Sequence, residues 1–436
     1  MMFDAALSRR QMIAGIGLGA TAALFARPGW ALTSSADAEA HWPAVTSYLQ
    51  TVMTDKKLAG ALGAIGRGTG PLEIIGRGNI ALNSKTPVDG DSLWRLYSQT
   101  KPITGMAVMI LIGEGKLKLD QPIADLLPAF AKMTVQNVPD GAIDDVREAK
   151  TQITVRHLLT HTAGLGYNIM QKGPLKTAYE EKGILPGKVT ALQLPGIPPS
   201  NAAPSLAEFA DRLATLPLVY EPGTRWSYSV AIDLLGRVIE VATGMAFDDF
   251  LQQRIFDPLG MTSTWFTVPG SEVARLTTNY TPLGGSLFPV DPGATSIYLK
   301  KPEFPFGGAG LVSSARDYDR FLAMLLGEGA LGDVRIMDAD VARLGMSNLL
   351  PEGADTSGTF VAGEGFGAGG RVSLASSATG EGVYGWAGAA GTTGAVDRKR
   401  GLRIGGYIQV IPSESVPFHR EFPKSVYADL AGGHGG

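Results

Sequence analysis

The sequence predicts an α/β fold of the α+β type, in which an antiparallel sheet flanked by helices carries an inserted, mostly helical domain. Three observations lead to this fold class. Strand-like segments joined by short turns occur near both ends of the 436-residue chain, the stretch between them is largely helical in pattern, and a last helix closes the chain. We therefore expect a leader over 1–31, a sheet domain formed by 32–115 together with 290–436, and a helical domain over 116–289.

The first 31 residues are typical of an export signal. An apolar run over 13–26 follows Arg9 and Arg10, and the stretch 29–31 offers a small-residue cleavage site. This is the pattern of a twin-arginine signal peptide, and its apolar run is too short for a permanent membrane anchor. We expect a mature protein that is periplasmic or secreted.

The sheet domain should begin with a helix and continue with a hairpin. Apolar residues have helical spacing over 35–57, and the period then changes to that of two strands, 62–66 and 72–80. The Gly- and Pro-containing stretch 67–71 between them predicts the hairpin turn. A second, strongly apolar helix should start near Ser98.

The middle and the end of the chain differ in pattern. Helices are predicted over 123–130, 153–164, 205–216, 230–243 and 247–255. The segment 164–205 is rich in Gly and Pro without a sustained period, so we expect an ordered loop that walls a pocket. The closing part should contain helices over 315–327 and 421–430 and strands over 365–373, 383–388, 391–397 and 402–411.

Composition narrows the classes of function. The net charge is −3, the pI is about 6.0 and charged residues make up only 18% of the chain, so the chain lacks the basic surface of a nucleic-acid-binding protein. Cysteine is absent, which excludes disulfides, thiol nucleophiles and thiolate metal sites. The 57 glycines predict many turns and close approaches of the backbone.

Ser98 and Lys101 form the pair in which we expect a reactive site. Because they are three residues apart at the start of a helix, the Lys101 amine should lie beside the Ser98 hydroxyl. A serine needs a neighbour that takes its proton, and burial in the apolar helix that follows would disfavour the ammonium form of the lysine. The positive end of the helix would also stabilise negative charge on Ser98.

Other hydrolase and metal motifs are incomplete in the sequence. No serine has glycine both two residues before and two residues after it, so the nucleophile elbow of α/β-hydrolases is excluded. His157 and His161 are four apart, as zinc ligands on a helix can be, but the glutamate of the zinc-peptidase motif is missing between them. We expect these histidines to serve in packing, and we predict no metal and no cofactor.

Two further stretches follow the Ser98 pair in order. Tyr228 comes after a turn and directly before a helix, and Trp386-Ala-Gly388-Ala389 belongs to a strand of small residues that can offer backbone N–H groups. With these residues in this order, the chain resembles the serine β-lactamase and penicillin-binding protein superfamily, and within it the class C-like family VIII carboxylesterases. Supporting phrases lie at 156–165, 228–236 and 307–314, and the resemblance covers about 60–412.

The resemblance implies a β-lactamase-like fold and a role for each matching residue. Ser98 would be the acylated nucleophile, and its backbone N–H would form an oxyanion hole with that of Ala389. Lys101 and Tyr228 would activate the serine. Either a neutral Lys101 takes the proton itself, or a charged Lys101 activates Tyr228 as the base, and the sequence leaves both open.

Two departures from the family pattern concern the substrate. Class C β-lactamases and related peptidases have Asn where this chain has Val230, and Lys-Thr-Gly where it has Trp386-Ala387-Gly388. An amide and a cationic clamp are thus replaced by apolar side chains, which favours an uncharged small-molecule ester. We expect a carboxylesterase whose substrate contacts Trp386, Gly388 and Val230.

Several alternatives stay open at this point. They are a β-lactamase or D-alanyl-D-alanine peptidase, an acyltransferase of the same fold, and a binding protein that is acylated without turnover. We expect a small-molecule ester as the partner and no nucleic acid. The sequence does not determine the oligomeric state.

Overall fold

The computed structural model describes residues 35–185, 187–192 and 202–435. These residues form one compact unit, and the predicted boundaries between a sheet domain and a helical domain within it stay a prediction. The predicted signal peptide lies outside the described residues, as does the stretch 193–201 of the predicted loop. None of the described helices has the length and apolar character needed to cross a membrane.

The described helices and strands have the following bounds. The α-helices are α1 (Ser35–His41), α2 (Pro43–Lys56), α3 (Lys101–Gly113), α4 (Val155–Leu159), α5 (Gly173–Glu181), α6 (Leu206–Leu213), α7 (Ala231–Thr243), α8 (Phe247–Leu251), α9 (Asp257–Leu259), α10 (Ala315–Leu326), α11 (Ala339–Gly345) and α12 (Phe418–Ala431). The strands are β1 (Gly60–Arg67), β2 (Leu72–Gly78), β3 (Leu93–Arg95), β4 (Thr134–Gln136), β5 (Val146–Glu148), β6 (Thr264–Trp265), β7 (Asn279–Leu283), β8 (Ser286–Asp291), β9 (Val312–Ser314), β10 (Ala330–Leu331), β11 (Val334–Arg335), β12 (Gly365–Phe366), β13 (Arg371–Val372), β14 (Val383–Ala387), β15 (Thr393–Asp397) and β16 (Leu402–Tyr407).

The main sheet joins both ends of the chain. Its seven strands have the order β12-β13-β14-β15-β16-β1-β2, and every neighbouring pair is antiparallel. The link between the two ends is the pairing of β1 with β16, in which Leu62 lies opposite Tyr407. The predicted fold class, with an antiparallel sheet flanked by helices, is confirmed.

Apolar burial explains where the site-bearing helix lies. Every residue from Lys101 to Leu111 of α3 is buried, and the residues 103 and 106–111 belong to the largest of the hydrophobic clusters. Full burial of one Leu, Ile or Met side chain contributes about 1.5–3 kcal/mol, so the many apolar residues of α3 offset the cost of burying one lysine. A smaller cluster fills the opposite face of the sheet, beneath α2 and α12.

Some predicted elements differ from the structure. The segment 164–205, predicted as a loop, contains α5, which forms because Leu175 and Tyr179 lie four residues apart on one buried side. The helix predicted over 153–164 is only α4, because the chain turns at His161, whose φ is 55°. The helix predicted over 123–130 consists of two 3₁₀ turns.

The hairpin of β7 and β8 was not predicted either. Pro282 and Pro289 interrupt the strand pattern in the sequence, and proline is unusual inside paired strands. The hairpin turns at Gly284 and Gly285, both at positive φ, and its base pairs Asn279 with Asp291. This base packs beneath the turn that carries Ser98.

Candidate active site

Ser98 lies on a 3₁₀ turn, Tyr97–Thr100, that leads directly into α3. The α-helix thus begins at Lys101, slightly later than predicted, but the turn still places both side chains on one side. Lys101 Nζ donates a hydrogen bond to Ser98 Oγ at 3.2 Å. The predicted contact between the amine and the hydroxyl is confirmed.

Tyr228 joins this pair from a distant part of the chain. It lies just before α7, and its phenol donates a hydrogen bond to Ser98 Oγ at 2.6 Å. The Trp386 indole donates in turn to the Tyr228 oxygen at 3.3 Å, and Lys101 Nζ lies 4.6 Å from the centre of the Tyr228 ring. One hydroxyl, one amine and one phenol therefore meet, which is the arrangement that base activation of a serine requires.

Lys101 is fully buried and held by backbone and aromatic groups. Its Nζ donates to the Gly308 carbonyl at 2.8 Å and lies 5.7 Å from the centre of the Tyr167 ring. The Gly308 N–H donates to Asp233 Oδ1 at 2.8 Å, so the backbone of one residue, Gly308, lies between the buried lysine and a buried carboxylate. A side chain at residue 308 is excluded, because its Cβ would lie 2.6 Å from Asp233 Oδ2.

Asp233 was missed by the sequence analysis, although a signal was present. A carboxylate at the buried, apolar start of α7 requires a partner. Burial raises the pKa of Asp233 to about 6, against the opposing effect of the Lys101 charge. The negative charge of Asp233 thus lies close to the site without touching Ser98.

The pH dependence of stability should reveal this carboxylate. Its pKa rises from 3.8 to about 6 on folding, so the folded protein binds the proton more tightly, and stability present at low pH is lost as the pH rises through 6. The free energy of unfolding of the wild type, minus that of Asp233→Asn, should fall by about 3 kcal/mol between pH 3 and 8. Urea unfolding at several pH values measures this difference.

Asp317→Asn provides the matched control. Burial also raises the pKa of Asp317 to about 6, but its carboxylate accepts hydrogen bonds from Ser263 and Thr264, away from the site. The free energy of unfolding of the wild type, minus that of Asp317→Asn, should fall with pH in a similar way. Ester turnover by Asp317→Asn should equal that of the wild type. A difference between wild type and Asp233→Asn that does not vary with pH would contradict the assignment.

The two histidines behave as packing residues, as expected. The His161 Nδ1 is 3.0 Å from Ser229 Oγ, and its ring centre is 4.9 Å from that of Tyr228. Burial lowers the pKa of His161 well below its usual value and that of His157 to about 4, which favours neutral rings. No cluster of three metal-ligating side chains occurs in the part of the chain that the structure describes.

The end of β14 lies against the turn that carries Ser98. A Cβ at Gly388 would lie 2.2 Å from the Leu96 carbonyl oxygen, so only glycine allows the strand to come this close. The Gly388 N–H donates to the Thr392 carbonyl at 2.8 Å, which shapes the loop that presents Ala389. This loop therefore lies against the segment that leads into the Ser98 turn.

A cavity of about 1670 Å³ opens above the serine. The predicted residues Ser98, Tyr228, Trp386, Gly388 and Ala389 line it together. Residues missed by the sequence analysis, among them Tyr167 and Phe360, line it as well.

Val230 differs from the expectation. Its side chain is fully buried, its N–H donates to the Gly166 carbonyl at 3.2 Å, and it is not among the residues that line the cavity. The structure therefore does not bring Val230 to the substrate pocket. The physical reason is its position immediately before α7, where the side chain packs into the helical core.

The fold and the site together define a serine hydrolase of β-lactamase fold. Residues 45–420 match the Beta-lactamase family. The chain is 31% identical over 390 residues to the esterase EstB of Burkholderia gladioli, covering 85% of this chain and 91% of that protein. It is 28% identical over 369 residues to the lovastatin esterase of Penicillium rubens, covering 77% and 84%.

A solved structure is similar over nearly the whole chain. EstCE1, described as a hydrolase with promiscuous acyltransferase activity, superimposes with a TM-score of 0.72 at 26% identity, covering 90% of this chain and 100% of that one. The chain belongs to the β-lactamase family. Within that family it is a carboxylesterase, in agreement with its resemblance to the class C-like family VIII carboxylesterases.

Proposed function

We propose that this esterase hydrolyses carboxylic esters through an acyl-enzyme on Ser98, with Lys101 and Tyr228 as the activating pair. The observation that carries the proposal is the meeting of the three side chains, with the Ser98 oxygen 2.6 Å from the phenol and 3.2 Å from the amine. Both distances are within the reach that proton transfer requires. Ser98 is also half-buried on the cavity wall, where an ester can approach it.

The surroundings of Lys101 favour Tyr228 as the proton acceptor. The Gly308 carbonyl and the nearby Asp233 carboxylate both stabilise a positive charge on Lys101, and a charged lysine cannot accept a proton. Its charge beneath the Tyr228 ring would instead stabilise a phenolate. In this mechanism Lys101 acts electrostatically and Tyr228 acts as the base.

Acylation would then proceed through a tetrahedral intermediate. Tyr228 takes the proton from Ser98, and Oγ attacks the ester carbonyl carbon to form a tetrahedral oxyanion. The backbone N–H groups of Ser98 and Ala389 would stabilise that oxyanion, and one such donor contributes about 3–4 kcal/mol in other serine enzymes. As the intermediate collapses, the bond to the alcohol oxygen breaks, and Tyr228 returns the proton to the leaving alkoxide.

Deacylation repeats these roles with water. Tyr228 takes a proton from a water molecule, the hydroxide oxygen attacks the acyl carbon, and the bond to Ser98 Oγ breaks. The serine regains its proton, and a carboxylic acid leaves. Apart from the ester and the water molecule, these steps use only groups of the chain.

The substrate that we propose is an uncharged small-molecule ester, with a short or bulky acyl group. The Trp386 indole lines the cavity and donates to the Tyr228 oxygen. It takes the motif position of the lysine that would bind a substrate carboxylate in class C β-lactamases and related peptidases. An aromatic wall favours apolar groups of the ester over the acid of a β-lactam. Gly388 would contact the ester through its backbone, because the Leu96 carbonyl occupies the space that a side chain would need.

A substrate panel tests this proposal. We expect continued turnover of p-nitrophenyl acetate and butyrate and little turnover of a chromogenic cephalosporin by the same preparation. Equal cleavage of both classes would contradict the inference from Trp386. Release of one equivalent of p-nitrophenol followed by no further product would indicate a binding protein.

Acyl transfer is the second candidate function. EstCE1, the similar solved structure, is described as having promiscuous acyltransferase activity, and a cavity of about 1670 Å³ is larger than a short ester needs. An alcohol bound there could replace water in the second half of the cycle. Adding n-butanol to the panel should then yield butyl ester, and its absence at saturating alcohol would exclude transfer to this acceptor.

A further inference from the structure

The residue before Ser98 has an unusual backbone conformation. Tyr97 has a φ of 45°, in the left-handed region that bulky side chains rarely adopt. Such a conformation costs of order 1–3 kcal/mol and persists only where the surrounding structure enforces it. Because Tyr97 directly precedes Ser98, its backbone direction helps to set where the serine oxygen lies relative to Tyr228 and Lys101.

The side chain of Tyr97 is held by one specific contact. The ring is buried, with 5% of its surface exposed, and its phenol oxygen accepts a hydrogen bond from Asn279 Nδ2 at 2.9 Å. Asn279 is itself fully buried at the base of the hairpin formed by β7 and β8. The contact therefore fixes Tyr97 to an element far away in the sequence.

The same hairpin base also holds Arg95, two residues earlier. Asn279 is paired in register with Asp291, and the fully buried Arg95 donates through Nε to Asp291 Oδ2 at 2.6 Å. The Gln409 side chain accepts from the Arg95 N–H and donates to the Arg95 carbonyl, both at 3.2 Å. Arg95 is thus fixed on both sides, and the bond of Tyr97 to Asn279 is a second point at which this hairpin base holds the turn.

Asn279 is a costly choice if its role is only structural. Its Oδ1 is buried and forms no hydrogen bond, so this amide contributes its bond to Tyr97 while leaving a polar atom unsatisfied. A buried unsatisfied acceptor destabilises a protein, and an apolar side chain of similar size would avoid that cost. It would, however, leave the buried Tyr97 phenol without its donor, so what the amide provides is the bond that holds Tyr97.

We propose that Asn279 is a positioning residue for the esterase reaction. By holding the Tyr97 phenol, it keeps the backbone of Tyr97 left-handed and thereby directs Ser98 Oγ toward both Tyr228 and Lys101. Asn279 does not touch the ester; it acts through Tyr97 on the geometry of the nucleophile. This inference rests on the proposed role of Ser98 as nucleophile.

Two variants test the inference from both ends of the contact. Asn279→Leu removes the donor with a side chain of similar size, and Tyr97→Phe removes the acceptor but keeps the ring. Each should lower kcat for p-nitrophenyl butyrate about tenfold, with KM changed less than twofold, because a small displacement of the nucleophile affects the reaction more than binding. The double variant should be no slower than the slower single variant, since both remove one contact.

Melting temperature separates positioning from folding. Asn279→Leu should melt close to the wild type, because it removes one unsatisfied polar atom, the Asn279 oxygen, and leaves another, the Tyr97 phenol oxygen. Tyr179→Phe is the control, since Tyr179 is another buried tyrosine whose oxygen accepts one hydrogen bond, from the Gly166 N–H, and it should leave kcat unchanged. If both test variants retain kcat within twofold, the inference is overturned. The inference is also overturned if the fall in kcat is fully explained by the fraction of the variant that is unfolded.

Labelling with a phosphonate ester distinguishes this failure from failure of the proposed function. Phosphonylation of wild-type Ser98 should be stoichiometric, and its rate should fall about tenfold in both variants. A wild type that is not labelled at Ser98 would refute the nucleophile itself. A labelled wild type with equally fast variants would refute only the role of Asn279.

Discussion

Ser98→Ala should lose about 10³-fold or more of kcat/KM for p-nitrophenyl butyrate while keeping the melting temperature of the wild type. The reason is that the Ser98 oxygen is the atom on which both the Tyr228 phenol and the Lys101 amine converge, at 2.6 and 3.2 Å. Without it no acyl-enzyme can form, and the remaining polar groups could only assist direct attack by water. Steady-state kinetics at matched concentrations of folded protein measures the loss.

A phosphonate label gives an independent measure of the same prediction. Mass spectrometry of the labelled wild type should place the modification on the peptide that contains Ser98, and the Ala variant should remain unlabelled under identical conditions. Residual activity above about one tenth of wild type would contradict the role of Ser98, because it would require another nucleophile. Labelling of a different serine in the wild type would have the same consequence.

Local geometry explains which parts of this site were predictable. Ser98 and Lys101 are three residues apart, so the start of one helix is enough to bring them together, whatever the rest of the chain does. The apolar pattern of α3 likewise predicted its burial, and strand patterns at both ends predicted the shared sheet. Each of these inferences uses only the sequence patterns of individual helices and strands.

Contacts between distant segments set the limit of sequence reasoning. The bond between Asn279 and Tyr97 joins residues 182 positions apart, and nothing in the local pattern around either residue indicates it. Asp233 had a detectable signal, a carboxylate in an apolar helix, but the Gly308 backbone that links it to Lys101 comes from another segment. Tertiary packing, rather than propensity, decides such contacts.

Val230 illustrates the same limit in the opposite direction. The motif position two residues after Tyr228 was expected to face the substrate, because the family pattern has a polar residue there. In this chain the residue is apolar, and apolar side chains at the start of a buried helix gain more from the core than from a pocket wall. The motif therefore predicted the place along the chain but not the direction of the side chain.

Lys101→Met should reduce kcat/KM for the same ester by about 10³-fold, because it removes the positive charge beneath Tyr228 and keeps the length and apolar packing of the side chain. It should also change Asp233, since the Lys101 charge opposes the effect of burial on that carboxylate. With the charge gone, the pKa of Asp233 should rise further, and the carboxylate should be protonated at neutral pH.

The double variant Lys101→Met with Asp233→Asn should then be at least as stable at pH 7 as Lys101→Met alone, whereas independent sites would give additive changes in the free energy of unfolding. Urea unfolding of the four proteins completes this double-mutant cycle. Additive free energies together with near-normal turnover in Lys101→Met would show that the lysine charge neither activates Tyr228 nor balances Asp233.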